Sequence, residues 1–248
     1  MLIAAVLCPH PPLLLRELCG AEDPAPGLRL ACAEAVSWLV EQAPEVVSLV
    51  GAIPDGAAAA ALPARLRIDA GRFRGRASGK ANGPMAGDGR DPVLPLSLGV
   101  AHRLLDEAGW TGPRIVSEIP AEATPEDCAT VGHLIAADER RVGLLVAADG
   151  SACRSVQAPG YLDERAEPFD AAVLAALRSM DTATLLRISP GQARAVLAAG
   201  RPGWQVLAGA VDATRAAGRT VDPDIGYSDD PFGVLYVVAR WAIGPAHG

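Results

Sequence analysis

Aromatic residues are scarce. Four Trp, three Tyr and three Phe make up 4% of the 248 residues. Rings on which bases could stack are few, and the core has to be filled by smaller side chains; Ala alone accounts for 48 positions. Lysine is nearly absent, Lys80 being the single copy. Lys and Arg total 22 against 29 Asp and Glu, a net charge of −7. Sequence-independent binding to nucleic acid needs a basic footprint, which this balance argues against. A local basic stretch remains between Arg65 and Arg76. Cysteine occurs five times, at positions 8, 19, 32, 128 and 153, with no CxxC spacing. An odd, dispersed set makes neither a disulfide framework nor a zinc cluster, and reduced thiols in the cytoplasm are the plain expectation. No apolar run of about 18 residues escapes charges or breakers, so no membrane span is expected. The opening MLIAAVLCPHPPLLL has no basic leader and is interrupted by prolines; it reads as a first strand, not a signal peptide. Neither GxxxxGK[ST] nor a GxGxxG after a strand occurs, so no nucleotide cofactor is indicated.

What is present is half apolar and a fifth charged, enough to bury a full core in one domain of this length. Leu2 to Cys8 is a continuous apolar run closed by Pro9, as suits a strand covered on both faces. Helical spacing predicts a helix over Gly27 to Gln42, and EVVSLVGAI predicts a strand over Glu45 to Ile53 that breaks at Pro54-Asp55-Gly56. This order reads as a βαβ unit. Residues 69–92, rich in Gly and Arg, read as an exposed, mobile loop. Further on, helices are expected over Leu96 to Ala108, from the Thr124 cap to about Ala137, over Pro168 to Ser179, Asp181 to Leu186, Ser189 to Gly200 and Trp204 to Ala217. Strands are expected over Arg114 to Ile119, Arg141 to Ala148 and Phe232 to Ile243, with an acidic loop from Asp222 to Pro231 before the last. The expected fold is a single α/β domain: a mostly parallel or mixed sheet with helices on both faces.

Polar residues gather at the ends of the predicted strands: His10, Asp55, Glu118, Asp149 and Ser151. Open α/β sheets carry their sites beyond the carboxyl ends of the strands. His10, held between Pro9 and Pro11, is a candidate metal ligand or proton carrier, the plainer alternative being a strand cap. Asp55 could be a second ligand, or the turn residue of Pro-Asp-Gly. Asp149 and Ser151 are the candidate catalytic or substrate-binding pair; the Gly-x-Ser-x-Gly frame of a nucleophile is missing around Ser151. Asp229 and Asp230 could complete a metal site with His10, or belong to a solvated loop. His102 and His133 fall within predicted helices and His247 at the tail, where packing or surface roles are commoner. Arg72, Arg74 and Arg76 could meet an anion.

Several stretches together resemble the class III extradiol ring-cleavage dioxygenases, catalytic (B) subunit type: AAVLCPHPPLL, VVSLVGAIPDG, LPLSLGVAHRLLDEAGW, LLVAADGSACRS, APGYLDERAEPFDAAV and DDPFGVLYVVARW. They run along nearly the whole chain. The resemblance implies an α/β fold and non-haem Fe(II) or another divalent metal, held by two His and one Glu. It also implies a catechol-type or other small aromatic substrate and, in two-subunit members, a small helical partner. Two imidazoles and one carboxylate leave metal positions open for substrate oxygens and O₂. His10 matches the first ligand. Asp55 stands where the second His is usual, Asp229 and Asp230 are the nearest candidates for a third ligand, and Ala152 stands where the acid/base His is usual. Two expectations follow: a metal-dependent, dioxygenase-like oxidoreductase, or a binding or scaffold protein that keeps the fold without the chemistry. Either takes a small-molecule ligand and neither needs nucleic acid or membrane; a homo-oligomer is compatible with both.

Overall fold

The computed structural model describes residues 1–19, 22–53, 68–69 and 93–246. Asp55, His247, Arg72, Arg74, Arg76 and nearly all of the 69–92 loop lie outside the described residues. In chain order the elements are β1 (Leu2–Cys8), α1 (Pro26–Glu41), β2 (Val46–Ile53), β3 (Ile68–Asp69), β4 (Val93–Leu94) and α2 (Leu96–Glu107). They continue with β5 (Arg114–Pro120), α3 (Pro125–Ala137), β6 (Val142–Ala147), α4 (Ala166–Ser179), α5 (Thr182–Leu186) and α6 (Pro190–Ala195). The chain closes with α7 (Arg201–Ala216), β7 (Arg219–Asp229) and β8 (Tyr236–Ala246). Two 3₁₀ turns, Pro12–Leu14 and Arg16–Leu18, follow β1.

The main sheet has six strands in the order β5-β2-β6-β1-β8-β7. The first four are mutually parallel, whereas β8 runs antiparallel to β1 and β7 antiparallel to β8. The expected mixed sheet is thus present in a single α/β domain. The β1–α1–β2 unit does not put its strands side by side, because β6 pairs with both and lies between them. Strands β3 and β4 form a separate antiparallel pair.

Two apolar layers sandwich the sheet. One face packs Leu2, Leu7, Val46, Val50, Leu144, Val146, Val237 and Trp241 against the helices after β5, with Val173, Leu185, Trp204 and Leu207 among their contributions. The other packs Val6, Cys8, Val47, Leu49, Leu145 and Val238 against α1 and α2 through Leu28, Leu39, Leu98 and Leu105. Strand alternation delivers this division. In β1 it slips: Ile3 and Ala4 both join the second layer, where a register shift between Leu2 and Ala4 inserts an extra residue. Helices α3 and α7 lie close. A methyl group on Gly132 would overlap the Val206 carbonyl, and one on Gly209 would overlap the Ala129 backbone.

One sequence expectation is corrected. Asp222 to Asp229 is not a loop but most of β7, an eleven-residue edge strand. Val221, Pro223, Ile225 and Tyr227 turn partly inward while Asp222, Asp224, Gly226 and Ser228 face solvent. Proline and the carboxylates hid this alternation, yet an edge strand tolerates Pro because its outer N–H groups need no ladder partner. The last strand accordingly starts at Tyr236 and not at Phe232; Asp230 to Leu235 form the hairpin turn. Gly233, at φ 69°, donates to the Asp230 carbonyl at 2.9 Å there.

Candidate functional site

The carboxyl ends of β1, β6 and β2 share one rim, since the three strands are parallel neighbours. The chain leaves β1 through Pro9-His10-Pro11-Pro12, a stiff segment that enters the first 3₁₀ turn. Buried Arg29 of α1 fixes that turn: its guanidinium donates to the carbonyls of Leu13 and Leu14, each at 2.6 Å, and to Asp23 at 2.8 Å. Asp149 leaves β6 beside it. Its Oδ1 accepts the backbone N–H of His10 at 2.7 Å and lies 3.6 Å from the His10 ring Nδ1.

His10 is only 8% exposed, and its buried Nδ1 has no hydrogen-bond partner among the described residues. Burial raises the Asp149 carboxyl above its ordinary range, with the neighbouring His10 pulling the other way. Tyr236, at the start of β8, belongs to the same corner: Leu235 accepts from Gly150 N–H at 2.8 Å and donates to the Ser151 carbonyl at 3.0 Å. Burial raises the Tyr236 phenol, and the charges of Asp149 and Tyr227 raise it further.

Ser151 faces elsewhere. It is fully buried; its hydroxyl donates to Asp170 at 2.5 Å and its backbone N–H to the other Asp170 oxygen at 2.9 Å. Asp170 is buried too, and desolvation raises its carboxyl. Arg154 stands 3.9 Å from Asp170 and donates to Asp230 at 2.8 Å. Ser151, Asp170, Arg154 and Asp230 therefore form one polar chain that fastens the turn after β6 to α4 and to the β7–β8 hairpin. Exposed Asp229 lines, with Glu167, Asp170 and Asp230, a cavity of about 280 Å³ to which His10 does not contribute.

The structure thus brings His10 and Asp149 together and sets Ser151, Asp229 and Asp230 in a second network. Among the described residues no group of three or more His, Cys, Asp or Glu is gathered as metal ligands are. The partners the sequence reading missed are Asp170, Arg154 and Tyr236. Asp170 had a signal: in α4 it occupies the buried stripe Ala166, Asp170, Val173, Leu177, where an acid must find donors. Tyr236 gave none beyond its place in an apolar run.

No protein-family model matches the chain, and no curated protein matches it. Among solved structures it is similar to the crystal structure of an uncharacterised protein, JW3007, from Escherichia coli K12. The two are 15% identical, 97% of this chain and 99% of that one are covered, and the TM-score is 0.49. The fold is a three-layer α/β domain whose strand ends carry a buried imidazole beside a partly buried carboxylate. Among the described residues no helix is long and apolar enough to cross a membrane.

Proposed function

We propose that the chain is an extradiol-dioxygenase-like enzyme that binds a catechol-type or other small aromatic substrate at the His10 rim, with a divalent metal such as Fe(II) as cofactor. One observation carries the reading. His10 is buried, its Nδ1 makes no hydrogen bond among the described residues, and its own backbone fastens it to a partly buried carboxylate at the carboxyl ends of parallel strands. A polar ring atom left unbonded in the interior costs about 1–3 kcal/mol, a cost that function explains more readily than packing. The bond from the His10 backbone N–H to Asp149 keeps the ring from drifting, so the imidazole and the carboxylate stay side by side.

A bound metal would supply open positions for substrate and oxygen. The described residues supply two donors for it, one imidazole and one carboxylate, which is fewer than a three-ligand set. Asp55, two residues past the end of β2, is the sequence-based candidate for another. The five cysteines are all free, as a cytoplasmic enzyme would keep them.

The test is oxygen uptake by protein loaded anaerobically with Fe(II) and given a panel of catechols. The reading expects substrate-dependent consumption with ring-cleavage absorbance, lost in His10→Ala and in Asp55→Ala. No consumption with any member of the panel would defeat it.

A specific observation favours a second reading, a binding protein without turnover. Ser151 spends both its hydroxyl and its N–H on Asp170, and Ala152 beside it has no proton to give. That reading expects catechols to bind without reacting, and with affinity unchanged in His10→Ala.

A further inference from the structure

On the far side of the α4 helix from the rim network, α4, α5 and α6 enclose a cavity of about 510 Å³. We propose that it binds a small apolar monocarboxylate. Its volume lies in the range of ligand pockets. The floor is apolar: Phe169, Val173, Ile188 and Val196 line it. Among the described residues the polar lining consists of Arg165, Thr184, Arg187 and Gln192, with no carboxylate in the lining itself; Asp163 and Asp181 stand behind it, bonded to Arg165 and Thr184. A cationic rim over an apolar floor selects an anion with an apolar body.

The two arginines are not equivalent. Arg165 is already spent on Asp163, by bonds of 2.9 and 2.6 Å. The Arg187 guanidinium makes one hydrogen bond among the described residues, from NH2 to the Thr184 hydroxyl at 2.6 Å. Thr184 is fixed in turn by donating to Asp181 at 2.7 Å. The guanidinium is therefore oriented while its remaining N–H groups stay available, which is the arrangement a bidentate carboxylate uses. Gln192 is likewise held: its Oε1 accepts the Ser189 N–H at 2.9 Å in a capping box, and its amide Nε2 has no hydrogen-bond partner among the described residues. The Val196 carbonyl under the floor accepts the Ala152 N–H at 3.0 Å, so an occupant would touch the segment that also holds the turn after β6. None of this depends on the dioxygenase reading.

The experiment is calorimetric titration of the full chain with octanoate and 2-naphthoate, and with octylamine as the cationic control. Saturable binding of at least one carboxylate with one-to-one stoichiometry is expected, octylamine binding at least tenfold more weakly. Arg187→Glu, a change at an exposed side chain, should weaken carboxylate binding at least tenfold. Ala172→Trp, on the exposed side of α4, should fill the space and abolish it. Methyl shifts of Val173 and Ile188 in unmodified protein give a check that needs no variant. Tighter naphthoate assigns an aromatic occupant and tighter octanoate an aliphatic one. The proposal fails if neither carboxylate saturates, if octylamine binds as well, if Arg187→Glu leaves affinity unchanged, or if those methyl shifts do not move.

Discussion

The backbone N–H of His10 is held by the carboxylate of Asp149, 139 residues further along the chain, at 2.7 Å. This bond closes the gap between the loops that follow β1 and β6 and sets the imidazole beside the acid. It makes the orientation of one catalytic candidate depend on the other.

Asp149→Ala should therefore cost about 1–3 kcal/mol by leaving a backbone donor without its acceptor. Asp149→Asn keeps an oxygen for that donor and should cost less than half as much. The ring should respond differently. With the carboxylate 3.6 Å from Nδ1, the proton should favour that nitrogen, and both variants should shift the tautomer balance. Nitrogen-15 shifts of the His10 ring read this directly, and an unchanged tautomer would show that Asp149 acts on the backbone alone.

Asp170→Ala should be more damaging. It strands the Ser151 N–H and hydroxyl in the interior, at a combined cost of about 3 kcal/mol in urea unfolding. Burial raises the Asp170 carboxyl, so the native state takes up its proton before the unfolded chain does. Wild type should consequently gain on Asp170→Asn as pH falls from neutral toward the ordinary carboxylate range, and lose that gain as pH rises. A pH-independent difference between the two would refute the assignment.

His102 gives the opposite slope. Burial, helped by Arg114, lowers its pKa from 6.5 to about 4, and Arg114 donates to its Nδ1 at 3.0 Å. Stability from this group is complete above the unfolded value and declines as pH falls toward 4. The loss at pH 5 should be about 2 kcal/mol. Urea midpoints at pH 7.5 and pH 5 should show this loss in wild type and not in His102→Gln.

At the α3–α7 contact, Gly132→Ala and Gly209→Ala should each lower stability by about 2–3 kcal/mol, because a methyl group meets rigid backbone and not a movable side chain. Both changes push the same helices apart. The double variant should lose less than the two single losses together, a difference that thermal melts resolve.

The order of elements was legible along the chain because continuous apolar runs, helical spacing and Gly or Pro stops act locally. The apolar run Leu2–Cys8 coincides with β1 to the residue, and the ends that sequence spacing predicts at Leu96, Arg114 and Ser179 are ends of α2, β5 and α4. The N-cap of α3 was legible too: Thr124 accepts from Asp127 N–H as its sequence context suggests. β7 was not, since its inward residues alternate with acids and a proline that alone look like a loop. His10 and Asp149 could be singled out as strand-end residues, but not as partners.

The sequence by itself therefore determined most of the segments that become strands and helices, β7 excepted, and that the sheet is covered on both faces. Those properties depend on patterns a few residues long. Only the tertiary structure decided that β6 lies between β1 and β2, which sets Asp149 and not a β2 residue next to His10. It also decided that Ser151 belongs to Asp170 and that Arg187 is left with donors to spare. Strand order and side-chain pairing are set by how two apolar layers close around a twisted sheet, and that closure couples residues more than a hundred positions apart, which no local pattern encodes.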